Sequence, residues 1–479
     1  MPPEAQLLYE DVATHIASLI ERGALRSGDR LPSVRRFARE RDVSIATVLA
    51  AYRQLENREL IETRPKSGHF VRQRTQHAPP LRSPKPIAPA PAKVTVSDGV
   101  ATLVASMRDP SVVPLGAAHL APDLYPIRAI NRLLAGIIRD IGTAGANYEI
   151  SPGLLTLRRQ LARRSLTWGM SLGEDDFVIT SGAMEAMHLA LRVTLRPGDS
   201  VAVSSPTYFG ILHLIEDMGL RAVEIPSHPD RGMDIDALQL ALRRTKINGI
   251  VAIPNFDNPN GALMPQESRV RLAGLLDRYD IPLIEDDIYG DLAWDNSRPA
   301  PIKAFDRAGR VLLCGSISKT IAAGYRVGWI VPGRYGERVE RLKFSQSVAT
   351  STLEQMALAE YLSTGAYDRH LRTLRSKLAA QVRAFREAIA ASFPEGTSVS
   401  NPSGGFLLWV ELPPSIDALE LQAEAGRRGI AIAPGPIFAA GNRYKSCIRI
   451  NCGFPWSPAI ASAVRTVGEL ATRIDTRAR

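Results

Sequence analysis

Cysteine is scarce: Cys314, Cys447 and Cys452 are the only three in a chain of 479 residues. They are too few and too scattered for a disulfide framework, and with no C-x-x-C pair nothing suggests zinc. Long apolar runs are missing, so no segment reaches membrane-spanning length. The N-terminus lacks a basic stretch followed by an apolar core. Residues 7–20 instead mix apolar and charged side chains at helical spacing, which excludes a signal peptide and makes the cytoplasm the expected compartment. Internal repeats are absent as well. What is present is ordinary for a globular protein, with 45% hydrophobic and 23% charged residues. The length points to two or three domains. The net charge of +10 allows an acidic partner but does not choose among nucleic acid, an anionic membrane and mere solubility.

Proline divides the chain. The stretch HAPPLRSPKPIAPAPAKVTV, residues 77–96, carries basic residues but no acids and has no helical or strand periodicity. It should be extended and semi-rigid, a spacer and not a folded unit. The expected limits are a module at 1–74, a linker at 75–98 and a body at 99–479, large enough for an enzyme fold.

In the module, residues 7–21 read as one helix. After Gly23 and Gly28, Ser33 would cap a second helix reaching about residue 40, and Ser44 a third reaching about residue 57. Val48, Tyr52 and Leu55 share the inward face of the third helix, with Ile45, Ala46, Leu49 and Arg53 off that face. Two helices joined by so short a turn form the helix-turn-helix pattern, whose second helix enters the DNA major groove. Residues 60–63 and 69–71 would pair around a basic turn, making a wing followed by Arg72 and Arg74. Phosphate neutralisation there would supply non-specific affinity. A small helical protein–protein module is the plainer alternative.

In the body, short β-branched apolar runs (177–180, 200–204, 250–253, 282–284, 311–314) alternate with candidate helices (186–195, 268–279, 353–361). Strands that are apolar throughout and alternate with helices imply an α/β fold, with a mostly parallel sheet covered on both faces. Such sheets bind ligands at the carboxyl ends of their strands.

Several motifs fall at such ends. Ser316-Ile317-Ser318-Lys319 is followed by Gly324-Tyr325-Arg326-Val327-Gly328. A lysine amine there suits pyridoxal phosphate, which needs an amine that can form an imine and be displaced by an amino substrate. The hydroxyls of Ser316 and Ser318 and the Arg326 guanidinium would hold its phosphate. Asp286 ends an apolar run, where a carboxylate keeps a pyridine nitrogen protonated, and Tyr289 follows within reach of a ring oxygen. Asn258-Pro259-Asn260-Gly261 is a turn that brings Asn258 to the same oxygen. Ser181-Gly182-Ala183 lies between a strand and a helix, where backbone N–H groups form an anion site. Tyr208 would stack on the ring. Alternation in Cys447-Ile448-Arg449-Ile450-Asn451 places Arg449 on a face of its own, suited to a carboxylate. Each has a plainer reading: Asp286 as a helix cap, Tyr289 and Tyr208 as packing, Arg449 as a surface strand residue.

Two resemblances follow. LPSVRRFARERDVSIATVLAAYRQLENRELIETRPKSGHFV resembles the GntR-family winged helix, over roughly residues 6–73. It implies DNA contacts by Arg35, Ser44, Thr47, Arg64, Lys66 and Gly68. Ile45 stands where the family commonly has arginine, which leaves the base readout open, and Glu59 where it usually has glycine. Roughly residues 99–479 resemble fold-type I, class I aminotransferases, with a large subdomain at about 150–345 and a small one from the remaining ends. That resemblance implies a pyridoxal 5'-phosphate site. Lys319 would bond the cofactor, Asp286 would face the pyridine, and Asn258 and Tyr289 would hold the ring oxygen. Ser181, Gly182, Ala183, Ser316, Ser318 and Arg326 would hold the phosphate, and Arg449 the substrate carboxylate. Tyr148 would reach the neighbouring subunit's phosphate, which implies a homodimer. Asn260 departs from the family's threonine.

Together the halves resemble the MocR (GabR-like) subfamily of bacterial transcriptional regulators. The resemblance implies a homodimer that binds operator DNA and senses an amino acid or amine effector. A working aminotransferase with a DNA-binding appendage is the alternative. A sensor of pyridoxal phosphate itself is a third reading, which Arg449 disfavours because that molecule has no α-carboxylate.

Overall fold

The computed structural model describes residues 8–22, 24, 25, 28–57, 60–64, 67–71, 79–84, 86–95 and 98–478. The chain forms two units, Met1–His77 and Ala78–Arg479. The first contains α1 (Leu8–Glu21), α2 (Val34–Arg41) and α3 (Ile45–Asn57), then the antiparallel pair β1 (Ile61–Arg64) and β2 (Gly68–Val71). Ser33 starts α2 by accepting the Arg36 N–H at 3.3 Å, and Ser44 starts α3 by accepting the Thr47 N–H at 3.0 Å. Val48, Tyr52 and Leu55 are buried against Ile16, Phe37 and Ile61, so the first wing strand closes the helical core. The Tyr52 hydroxyl donates to the Pro32 carbonyl at 2.9 Å, tying α3 to the start of α2.

The described residues of the proline-rich stretch, 79–84 and 86–95, are extended, as their composition dictates, but they lie along the second unit. Pro79 O accepts the Val399 N–H at 3.1 Å, and Pro89 O accepts the Thr245 hydroxyl at 2.8 Å. Residues Ala92–Lys93 form β3, paired antiparallel with Ala222 and Arg221. The sheet it joins also contains β4 (Val178–Thr180), β5 (Ser200–Ser205), β6 (Arg221–His228), β7 (Gly249–Ala252), β8 (Leu283–Asp286), β9 (Val311–Ser316) and β10 (Gly328–Val331). Its order is β3-β6-β5-β7-β8-β9-β10-β4, with Gly232–Met233 paired on β6. Strands β5 to β9 run parallel to one another, β3 is antiparallel to β6, and β10 is antiparallel to both β9 and β4.

Helices follow the strands: α4 (Ala183–Thr194) after β4, α5 (Phe209–Asp217) after β5, α6 (Ile235–Arg244) before β7 and α7 (Gln266–Tyr279) before β8. Val201, Val251, Ile284 and Leu312 belong to one core, and Ala202, Ile250, Leu283 and Val311 to another. Alternate strand residues thus feed opposite faces, which is why these strands are apolar throughout.

A second sheet, β11 (Ser398–Val399), β12 (Leu407–Glu411), β13 (Ala433–Pro434) and β14 (Cys447–Asn451), is antiparallel in the order β11-β12-β14-β13. Leu408, Val410, Ile448 and Ile450 enter a core shared with Phe385, Leu421 and Val464 from the helices Ala366–Ser392, Ala418–Gly426 and Pro458–Ala478. Trp409 and Arg449, which face each other in the ladder, therefore lie on the opposite side. Among the described residues no helix is long and apolar enough to cross a membrane.

Candidate functional site

The carboxyl ends of the central strands converge on Lys319. Asp286 ends β8, Ser316 ends β9, Ser181 follows β4, Tyr208 follows β5 and Asn258 follows β7. Lys319 is half-buried, and its Nζ donates to the Ala118 carbonyl at 2.6 Å and lies 5.9 Å from the centre of the Tyr289 ring. Burial pushes its pKa down to about 8. Asp286 opposes that shift, and the charges of Arg449 and Arg326 add to it. Asp286 itself is 1% exposed, and its Oδ1 has no hydrogen-bond partner among the described residues. Burial and then repulsion from Asp287 push it up to about 7, against the pull of Lys319. The buried Tyr289 hydroxyl also lacks a partner, and burial raises its pKa. Burial raises the pKa of Tyr208 too, with Arg449 and Arg326 opposing and Asp286 reinforcing, so it faces the same charges.

Arg449 is buried, which rules out the surface-strand alternative. Its guanidinium donates to Asn258 Oδ1 at 2.8 Å and to the Gly116 carbonyl at 2.5 Å, and stands 5.0 Å from the centre of the Phe438 ring. Its Nε has no partner among the described residues, and burial pushes its pKa down to about 10. Asn258 and Arg449, assigned separate tasks from the sequence, thus touch each other.

Helix α4 opens behind Gly182, whose φ is +84°. A Cβ there would strike the Arg326 guanidinium, so only glycine permits this approach. Arg326 donates to the Ser181 carbonyl at 3.2 Å and to Ser318 Oγ at 3.4 Å, while Ser316 Oγ accepts the Ser318 N–H at 3.3 Å. The Ser181 N–H is committed to Glu185 Oε2 at 2.5 Å. Glu185 also accepts from Ser347 Oγ at 2.6 Å and Lys343 Nζ at 3.2 Å. Asn260 donates to Ser227 Oγ at 3.1 Å, holding its turn. Tyr148 stands apart, 78% exposed, with no contact to this cluster among the described residues.

Sequence reasoning missed the stretch 116–125. The carbonyls of Gly116 and Ala118 cap Arg449 and Lys319, the Tyr125 hydroxyl donates to Ser318 O at 2.9 Å, and Asn451 donates to His119 O at 3.0 Å. It also missed Asp257, 1% exposed, whose carboxylate oxygens both lack a hydrogen-bond partner among the described residues. Burial and then the nearby Asp286 push its pKa well up. Its place directly before Asn258 was the available signal.

In the first unit, Arg35 and Ser44 are exposed and Thr47 is half-buried. The Ser44 and Thr47 hydroxyls bond each other at 2.8 Å. Gly68 has φ +104° and packs beside the Arg30 guanidinium. Lys66, Glu59 and the Arg64 side chain lie outside the described residues.

Comparison with known proteins agrees with both halves. The family "Aminotransferase class I and II" matches residues 122–456, and "Bacterial regulatory proteins, gntR family" matches residues 8–71. The "Uncharacterized HTH-type transcriptional regulator YjiR" of Escherichia coli (strain K12) is 39% identical over 97% of this chain and 99% of its own. Among solved structures, kynurenine aminotransferase of Pyrococcus horikoshii, in complex with PMP, superposes with a TM-score of 0.73. It is 29% identical and covers 79% of this chain and 95% of that one. LysN, the alpha-aminoadipate aminotransferase of Thermus thermophilus complexed with N-(5'-phosphopyridoxyl)-L-leucine, gives 0.73 at 26% identity over 80% of this chain and 98% of that one. The chain therefore belongs to the class I and II aminotransferase family, in the branch that carries a gntR-type helix-turn-helix domain in front.

Proposed function

We propose that the chain is a pyridoxal 5'-phosphate-dependent transcriptional regulator, reading operator DNA through its N-terminal unit and sensing an amino acid or amine beside Lys319. The cofactor, when bound, supplies an aldehyde that condenses with amines and a ring that withdraws electrons. One observation carries the reading: Asp286 Oδ1, the Tyr289 hydroxyl and Arg449 Nε are buried around Lys319 without partners among the described residues. Leaving such atoms unmet costs about 1–3 kcal/mol each. They fit a protonated pyridine nitrogen, a ring oxygen and a carboxylate respectively.

In this reading Asn258 joins Tyr289 at the ring oxygen and Tyr208 stacks on the ring. Ser181, Gly182, Ala183, Ser316, Ser318 and Arg326 take the phosphate. Lys319, with its pKa near 8, keeps roughly a tenth of its amine unprotonated at neutral pH. Lys319 would hold the cofactor, and beside it Arg449 would hold an effector's carboxylate, so that its contacts to Asn258 and Gly116 would change when that anion binds. The rearrangement then biases DNA affinity, because a ligand shifts an equilibrium by its differential contacts with the two states. The working unit is a homodimer, in which Tyr148 of one copy completes the phosphate site of the other, and light scattering should give twice the chain mass.

The test is spectroscopic. Adding pyridoxal phosphate to the purified protein should produce a visible band that amines alter, and Lys319→Ala should abolish it. No band with the wild-type protein overturns the proposal. Catalytic transamination is the second reading, favoured by the lowered pKa of Lys319, which suits proton transfer. Multiple turnovers with an amino donor and an oxo-acid acceptor would select it.

A further inference from the structure

The start of α3 presents an apolar surface. Ile45 is 50% exposed and Leu49 39%, one helical turn apart on the outward side, with exposed Ala46 beside them. The core of the unit does not use them, since Val48, Tyr52 and Leu55 fill the inward face. The polar side chains at the same end serve the helix itself: Ser44 Oγ accepts the Thr47 N–H at 3.0 Å, and the two hydroxyls bond each other at 2.8 Å. Exposed cations lie on the same pair of helices: Arg35 and Arg39 on α2, and Arg53 one turn beyond Leu49 on α3. An apolar strip accompanied by arginines complements a surface with anionic rims and a methyl-bearing floor. The DNA major groove is such a surface, because phosphates line its edges and thymine alone among the bases presents a C5-methyl group there.

We propose that Ile45 and Leu49 read thymine methyl groups, so that each operator half-site carries thymines at the two positions beneath them. The inference rests on the DNA-binding reading of the N-terminal unit and adds its base specificity. Four residues of helix rise about 6 Å. Base pairs rise about 3.4 Å, which places the two thymines about two pairs apart. Losing one buried methyl group should weaken binding about fourfold.

The experiment selects duplexes from a random pool with the full-length protein, then replaces each thymine of the enriched half-site by deoxyuridine, which removes only the methyl group. Wild-type affinity should fall about fourfold at two positions. Ile45→Ala should be insensitive to deoxyuridine at one of them and Leu49→Ala at the other. Both sites are exposed, and unchanged thermal unfolding of each variant will show that the fold is kept. Equal wild-type affinity for thymine and deoxyuridine duplexes overturns the inference while leaving DNA binding intact. So do variants that bind DNA normally but change the oligomeric state, because the patch would then be a protein contact. If no duplex is enriched, the DNA-binding reading fails first and the inference fails with it.

Discussion

Arg449 sits in a strand whose every residue is buried, with two of its donors met by Asn258 and Gly116 and its Nε unmet. A guanidinium so far from water is expensive unless a ligand anion completes it. Arg449→Gln should therefore weaken carboxylate-bearing effectors about tenfold to a hundredfold, from ~1.5–3 kcal/mol for hydrogen bonds to a charged group. Amines without a carboxylate should keep their affinity, as titration of the cofactor band will show. Equal losses for both would make Arg449 a purely structural residue. Lys319 yields a pH prediction. Burial disfavours its ammonium form, so cofactor uptake should quicken as pH rises through about 8 and the proton is lost. Asp286 holds that proton on, and Asp286→Asn should move the midpoint of the uptake rate to lower pH. A midpoint left in place, or moved upward, would contradict that coupling. Lys319 and Asp286 were legible because side-chain type and position at or just past a strand end together suggest their chemistry, and Arg449 because strand alternation sets it apart from Ile448 and Ile450. Gly116 and Ala118 were not, because they act through carbonyls that every residue possesses. The isolation of Asp257 is a product of packing, and only its place directly before Asn258 pointed to it.

Among the elements, the helix starts were the clearest. Ser33 and Ser44 were read as caps, and each accepts the backbone N–H three residues on. Ser33→Ala removes an acceptor and should cost about 1 kcal/mol. Calorimetry should then show the N-terminal unit melting earlier, by roughly 4–8 °C for a unit of this size, with the transition of the larger unit unmoved. An unchanged first transition would mean the cap contributes nothing. The apolar runs located β4, β5, β7, β8 and β9, since strands buried on both faces have no polar alternation to hide them. Strand β10 escaped notice, because its first residue, Gly328, closes the Gly324–Gly328 motif and only three residues follow it, and because pairing direction has no sequence signature. The proline-rich stretch shows the same limit. Its extended backbone followed from composition, but its seat against Val399, Thr245 and β6 depends on partners more than a hundred residues away.

For the whole molecule, two units of different ancestry share one chain, and the proposal requires that ligand at one changes DNA binding at the other. Thermodynamic linkage makes the demand reciprocal: if an amine alters DNA affinity, the DNA alters amine affinity by the same factor. The most direct test is footprinting and affinity measurement on DNA upstream of the protein's own gene, with and without pyridoxal phosphate and a panel of amino acids and amines. A protected site should appear, and its affinity should change about fivefold or more, the usual scale of such coupling, with one class of amine. That change should depend on the cofactor and vanish in Lys319→Ala. An amine that visibly alters the cofactor band while leaving DNA protection and affinity unchanged would contradict the sensing role.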